Sequence, residues 1–373
     1  MAGQTVMIAG GGTGGHVFPG VAVAQELVAM LPELEVVFVG TERGLESRAI
    51  PPLGFALETL NVRYVKGTGL WGWTRGALLL PGAGFGAMSL LRRWKPSVVI
   101  SVGGYAAGPM TVTAATLGYR TALMEQNARS GMTNRLLGKV VDRCFVTFEG
   151  TEGLPASRCV LVGNPVRRQI LEARARVEHR EGAQEFRILV TGGSGGAGSM
   201  NAELPQILRS LPEELGRRVT IRHQAGRGRH APVLESYQGF VGRAEVVEFI
   251  DDMAEAYLWA DLVVCRAGAT TLSELLVLGK PALYIPFPNA ADNHQEKNAR
   301  AIVEAGAGVM LLDAELSGDK GVRLLSGLIR NPTSLHNMSE QAVKLGRPDA
   351  GREIAESIVE LAGLGPVGSQ RAA

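Results

Sequence analysis

VMIAGGGTGGHVFP (residues 6–19) decides how this chain is read. A short apolar run feeds a glycine-rich turn, then His16 and Pro19, the order of a buried strand leading into a helix. Glycines in such a turn let backbone N–H groups approach a ligand, and the helix start adds roughly half a positive charge, so the turn suits a phosphate. The arrangement recurs at SVVISVGGYAAGP (97–109) and RILVTGGSGGA (187–197). Gly10-x-Gly12-x-x-Gly15 and Gly193-x-Gly195-x-x-Gly198 both satisfy the dinucleotide fingerprint. One such match is weak; three glycine turns behind three apolar runs are stronger. One nucleotide needs one diphosphate cradle, so cradles in both halves point to two diphosphate ligands.

Around these turns, β-rich runs at 6–9, 36–40, 98–102, 121–124 and 143–146 alternate with helix-like stretches such as 21–31. The rhythm restarts at 187–190 and continues through 219–223, 246–249, 261–265 and 282–286. This is the βαβα alternation of parallel sheets covered on both faces. The expected fold is α/β, with two Rossmann-like doubly wound parallel-sheet domains facing across a cleft. They join near Gly163-Asn164-Pro165, giving a first domain at 1–164 and a second at 165–347. A helix at about 348–362 is expected to pack back on the first domain, and 363–373 has the composition of a disordered tail.

The 373 residues exceed what one core supports, in line with two domains. A net charge of +2 argues against nucleic acid as partner. The three cysteines, Cys144, Cys159 and Cys265, are scattered as in a reducing compartment. No export signal is read in MAGQTVMIAG. No histidine pair has metal spacing and no Asp-x-Asp ends a strand, so no protein-bound metal or other cofactor is expected, with a divalent cation at most stimulatory. One segment suggests a membrane surface. Gly76 to Leu91 carries no charge and is flanked by Trp71, Trp73, Arg75 and by Arg92, Arg93, Trp94, Lys95. It is too short to span a bilayer, which takes about 20 apolar residues. Two readings stand: a core helix, or an interfacial patch in which Leu79, Leu80 and Phe85 enter the headgroups of an anionic membrane.

His16 at a helix start is disfavoured from protonation by the dipole, as a general base requires. It could equally hydrogen-bond nearby backbone. Glu125 and Asn127 follow the strand TALM, and Glu125 is the second candidate base. Thr271-x-x-Glu274 and Asp292-x-x-Gln295 have capping-box form, yet both helix starts end adjacent strands, where Glu274 and Gln295 suit vicinal hydroxyls. Arg167 is of the type that clamps phosphate. Gly103 and Gly104 make a second phosphate turn in the first half.

Taken together, AGGGTGGHVFPGVAVA (9–24), SVGGYAAGP (101–109), EQNARSGMTNR (125–135), GNPVR (163–167), TGGSGGA (191–197), EFIDDM (248–253), CRAGATTLSE (265–274) and DNHQEKNA (292–299) resemble the MurG family. These are the peptidoglycan N-acetylglucosaminyltransferases of GT-B fold. The resemblance implies inverting transfer of GlcNAc from UDP-GlcNAc to the 4-hydroxyl of MurNAc in lipid I, giving lipid II. It implies donor contacts from Thr13, Gly14, Gly15, Asn127, Arg167 and Ser194. It adds the backbone of Ile250, the run Ala269, Thr270, Thr271, Leu272, Ser273 and Glu274, and Gln295. The acceptor diphosphate falls to Gly14, Gly15, Gly103 and Gly104, and the implied place of work is the cytoplasmic face of the bacterial plasma membrane, as a peripheral protein beside other cell-wall enzymes. Two positions depart from the family pattern: Gly195 stands where a glutamine is common, and His294 where some members have the first of two glutamines. A nicotinamide dehydrogenase, with Glu42 as ribose-binding acid, and a nucleotide-sugar binding protein without turnover are the competing readings.

Overall fold

The computed structural model describes residues 4–62, 70–104, 106–178, 180, 184–193 and 195–365, and of residues 70–81 the backbone only. Expectations for Trp71, Trp73, Arg75, Leu79, Leu80, Ser194 and 366–373 therefore lie outside the described residues.

The chain divides into two units, Met1–Arg167 with Pro348–Ala373, and Arg168–Arg347. In the first, β1 (Thr5–Gly10), β2 (Glu35–Gly40), β3 (Ala56–Thr59), β4 (Val98–Gly103), β5 (Arg120–Glu125), β6 (Arg143–Val146) and β7 (Cys159–Leu161) form a parallel sheet in the order β3-β2-β1-β4-β5-β6-β7. In the second, β8 (Phe186–Thr191), β9 (Val219–Gln224), β10 (Arg243–Val247), β11 (Leu262–Cys265), β12 (Ala282–Tyr284) and β13 (Val309–Met310) are parallel in the order β10-β9-β8-β11-β12-β13. Both sheets share the doubly wound order 3-2-1-4-5-6, whose direction reverses between β1 and β4 and between β8 and β11. Ligands of such sheets sit outside the carboxyl ends at that reversal.

Burial explains why the central strands read clearly from sequence. Every residue of β1 and β4 is buried, because helices cover both sheet faces. The strands β3, β7 and β13 were not expected; they lie at or near sheet edges, are short, and bury less. β10 begins three residues earlier than the apolar run suggested, since its first residues face solvent.

The first helix, Gly14–Met30, starts just before His16 and runs through the helix-like stretch at 21–31, and Pro19 lies in its second turn. The small residues of GVAVA let this helix lie close on the sheet: a methyl on Gly20 would stand 3.2 Å from Val102 and 3.3 Å from Ile8. On its other side the helix Ala350–Ala362 contributes Ile354, Ala355 and Ile358 to a core shared with Val21, Ala24 and Leu27. Gly363 ends that helix in the left-handed region (φ 60°), and Leu364 packs into the same core, so the chain stays ordered past 363, where the tail was expected to begin.

In the helix Leu70–Trp94, Ala83, Ala87 and Leu91 recur every four residues and are buried, Ala87 and Leu91 packing with Leu60, Met110 and Ala114. Phe85 is 71% exposed on another face. The Trp94 indole N–H donates to Glu58 Oε1 at 3.0 Å, and Arg93 lies 3.1 Å from the same oxygen. The described half of the segment is thus a core-packed helix with one open face, and Trp94 is tied to β3 rather than presented to a bilayer. Among the described residues, no helix is long and apolar enough to cross a membrane.

Candidate active site

The two glycine turns of the first unit meet at the reversal between β1 and β4. Gly11 N–H donates to Gly103 O at 3.0 Å, and a methyl on Gly104 would stand 2.3 Å from Gly11 O. Both turns need their glycines for this mutual approach, before any ligand is considered. Beneath them lies Glu46, 1% exposed. Its Oε2 accepts from Gly12 N–H at 2.7 Å, and its Oε1 accepts from Thr41 N–H at 2.8 Å and Thr41 Oγ1–H at 3.0 Å. Methyls on Gly11, Gly40 or Gly44 would strike this side chain. Burial pushes its pKa up, but the backbone N–H groups of Gly12, Thr41 and Glu46 itself outweigh that and hold it below the usual value. Sequence reading missed Glu46 and weighed the neighbouring Glu42, which is exposed. Gly40-x-x-x-Gly44-x-Glu46, two glycines spaced around an acid, was the available signal.

His16, in the first turn of its helix, is half-buried. Its Nδ1 lies 3.3 Å from Gly11 O and 3.4 Å from Thr13 Oγ1. Thr13 is the exposed N-cap, and the amides of Gly14 and Gly15 begin the helix with no carbonyl four residues back to bond. The Arg167 guanidinium stands 5.5 Å over the Phe18 ring, and that ring packs on Gly14. Gly14 and Arg167 therefore both border the Phe18 ring.

Glu125, at the end of β5, is 3% exposed. Its Oε1 accepts from Asn127 N–H and Nδ2–H, both at 3.0 Å, and its Oε2 from Gly131 N–H at 3.2 Å and Asn134 Nδ2–H at 2.9 Å. These four donors fill a carboxylate's lone-pair sites. Glu125, expected as the second candidate base, thus also organises the loop that carries Asn127.

In the second unit the turn after β8 is held differently. Gln224, 2% exposed, donates from Nε2 to Gly193 O at 2.8 Å and accepts Ile250 N–H at Oε1, at 3.0 Å. One buried amide ties the glycine turn to the Ile250 loop and engages the N–H of Ile250, whose backbone was expected to contact the donor. Asn201 Nδ2 donates to Ala225 O, beside Gly196. Asn201 Oδ1 in turn lies 3.0 Å from His223 Nε2, and His223 Nδ1 lies 2.8 Å from the Tyr237 hydroxyl. Burial pushes His223 down to about 4, so it is neutral. A side chain at Gly195 would meet nothing within 4 Å.

Neither capping box forms. The helix Ala269–Leu278 begins after Gly268, which places Thr271 third and Glu274 sixth within it. Glu274 is 2% exposed and accepts from the Tyr257 hydroxyl at 3.2 Å. Thr270 Oγ1 is buried and without a hydrogen-bond partner among the described residues, whereas Ser273 Oγ donates to Ala269 O at 2.9 Å. The helix His294–Glu304 begins after Asn293, not Asp292, and Gln295 Oε1 accepts from Phe287 N–H at 2.9 Å. The two helix starts nevertheless follow adjacent strands β11 and β12. Beside them Arg266, 9% exposed, donates to Ile285 O, Pro286 O and Ser199 Oγ and pairs with Asp313, a network the sequence did not announce. Among the described residues no cluster of three potential ligands could hold a metal ion.

Residues 6–146 match the glycosyltransferase family 28 N-terminal domain, and residues 187–354 its C-terminal domain. A UDP-N-acetylglucosamine–N-acetylmuramyl-(pentapeptide) pyrophosphoryl-undecaprenol N-acetylglucosamine transferase of Anaeromyxobacter dehalogenans is 46% identical, over 95% of this chain and 92% of its own. That of Myxococcus xanthus is 45% identical over 98% and 96%. The crystal structure of Acinetobacter baumannii MurG superimposes with a TM-score of 0.80 at 29% identity, over 96% of this chain and 99% of that one. With both family 28 domains in order and such identity along nearly its whole length, the chain belongs to the MurG family of UDP-N-acetylglucosamine transferases.

Proposed function

We infer that this chain moves GlcNAc from UDP-GlcNAc to the 4-hydroxyl of MurNAc in lipid I, with inversion, to form lipid II for peptidoglycan. The observation that carries the inference is 45–46% identity to named transferases of this reaction along at least 95% of the chain. A dehydrogenase reading fails on the same ground, and on the burial of Glu46, not Glu42, at the first turn.

The reaction is a single displacement. The acceptor O–H bond breaks, its proton passes to His16, and the oxygen attacks C1. The C1–O bond to UDP breaks at the same time, leaving its electron pair on the β-phosphate through an oxocarbenium-like transition state. Arg167 and the amides of the turn that includes Ser194 stabilise that leaving charge. Ile250, the run Ala269 to Glu274, Gln295, Thr13, Gly14, Gly15 and Asn127 complete the donor contacts, with Glu274 on the ribose hydroxyls. Gly14, Gly15, Gly103 and Gly104 receive the acceptor diphosphate. Protein groups carry the leaving charge in this scheme, and a divalent cation is only stimulatory.

The acceptor's polyprenyl chain makes the cytoplasmic face of the plasma membrane the place of work. The open face around Phe85, with Arg92, Arg93 and Lys95 exposed at the helix end, supports docking on an anionic surface through 71–95, at about 1 kcal/mol per charge. Two measurements test this. Turnover of UDP-GlcNAc with a lipid-linked acceptor, beside binding of UDP and NAD, decides the chemistry: NAD binding without transfer overturns it. Changing Arg75, Arg92, Arg93 and Lys95 to glutamate should abolish sedimentation with anionic vesicles while a soluble short-chain acceptor is still used; persistent sedimentation overturns the patch.

A further inference from the structure

The donor and acceptor roles above leave the Glu46 carboxylate unused, although it lies buried under the turn that carries His16. One peptide unit joins the two residues. The N–H of Gly12 donates to Glu46 Oε2 at 2.7 Å, and the C=O at the other end of that same peptide, from Gly11, stands 3.3 Å from His16 Nδ1. A carbonyl oxygen can only accept, so this contact calls for hydrogen on Nδ1, which the more distant Thr13 Oγ1 at 3.4 Å can also accept, and leaves the lone pair on Nε2. An anion at the N–H end of a peptide polarises it and makes its oxygen a stronger acceptor.

We propose that Glu46 is a positioning residue for the proton transfer, acting on His16 through the Gly11–Gly12 peptide. It holds the ring in the Nδ1–H tautomer and stabilises the imidazolium that forms when Nε2 takes the proton of the acceptor hydroxyl. Glu46 itself stays ionised and gains no proton. The logic is that of a buried carboxylate behind a catalytic histidine, with a peptide interposed.

The packing supports a fixed arrangement. Gly11, Gly40 and Gly44 leave room for the carboxylate, Thr41 clamps its second oxygen, and Gly103 closes on the imidazole, where a methyl would stand 2.9 Å from Cδ2 and 3.0 Å from Nε2. Other charged groups surround this end of the sheet. Glu42, Arg43 and Arg48 flank Glu46 and are exposed, Glu125 is enclosed by its own loop, and Arg167 lies over Phe18. Glu46 is joined to the ring by a peptide hydrogen-bonded at both ends.

The proposal rests on His16 being the base, and the experiment separates the two. The pH profile of kcat is measured for the wild type, Glu46→Gln, His16→Ala and the double variant, with a soluble short-chain acceptor and saturating UDP-GlcNAc. Glu46→Gln should lower the plateau about tenfold, well short of the roughly 10⁴-fold seen where a carboxylate bonds its histidine directly. It should move the acidic limb to lower pH, because the imidazolium loses its anion, leave the donor KM unchanged, and add nothing to His16→Ala. A fall in kcat with an unmoved acidic limb, or losses that multiply in the double variant, would show that Glu46 only holds the loop. Near-normal kcat in His16→Ala would remove the base assignment itself. If Glu46→Gln does not fold, the ring nitrogen chemical shifts of His16 in the wild-type chain decide: hydrogen on Nε2 in the neutral ring overturns the proposal.

Discussion

The turn after β1 and the turn after β8 share a glycine fingerprint and are built with opposite electrostatics. In the first, a buried anion occupies an amide of the turn: Gly12 N–H is committed to Glu46. In the second, neutral groups grip its carbonyl side, with Gln224 and Gly196 N–H both donating to Gly193 O. The carboxylate takes the Gly12 amide and steadies the turn that mounts His16, while Gly14 and Gly15 supply the amides of the helix start. The second turn also commits amides, Gly193 N–H to Thr191 Oγ1 and Gly196 N–H to Gly193 O, but only to neutral acceptors, so no anion offsets the field at the helix start. Under the proposed scheme the first turn mounts the base beside the acceptor diphosphate and the second meets the leaving diphosphate, and what distinguishes their fastening is Glu46, a side chain far along the sequence from Gly12.

Removing the imidazole should give the largest effect if the first turn serves proton removal. His16→Ala is expected to lower kcat roughly 100- to 10,000-fold with donor binding little changed; equal weakening of UDP-GlcNAc binding would merge the two roles. Acid should separate the turns by their fastenings. His223 titrates at about 4 in the folded chain against 6.5 unfolded, because burial disfavours its charged form. The unfolded state binds the extra proton between those values, so stability falls as pH drops from 6.5 to 4, by about 3 kcal/mol at about 1.4 kcal/mol per pH unit. Glu46 is held below 4.5, so its contribution is present above that value and lost only below it. Urea unfolding between pH 4 and 7 should show the His223 slope, and His223→Gln should flatten it; an unchanged slope would place the acid sensitivity elsewhere.

A smaller loss is expected from Glu274→Ala, which removes a charged acceptor from the donor and should raise the donor Kd by a factor matching about 1.5 to 3 kcal/mol. Wild-type affinity by calorimetry would leave Glu274 with a structural role, as in its bond from Tyr257. Smallest of all, Gly195→Gln has open space and adds one hydrogen bond near the diphosphate, worth about 0.5 to 1.5 kcal/mol of tighter donor binding. No change would mean that the backbone of this turn suffices.

The doubly wound order was legible because parallel strands buried on both faces leave unbroken apolar runs, as in β1 and β4. Edge strands such as β3 and β13 left too little apolar surface to register. His16 was legible because it is local to its turn. Glu46 was not, since its partners Gly12 and Thr41 come together only when β1 and β2 pair. The capping boxes failed for a related reason: the helix at Ala269 starts where β11 delivers it, and burial beside Tyr257 overrides the local Thr271-x-x-Glu274 pattern.

The helix Ala350–Ala362 closes the core of the first unit, though it is translated after the whole of the second. A nascent chain that has emerged only to Arg347 leaves Val21, Ala24 and Leu27 without Ile354 and Ile358, each worth about 1.5 to 3 kcal/mol when buried. On the ribosome, the unit that carries His16 would then mature after the unit that carries Glu274, and only once the chain has been made past Ala362.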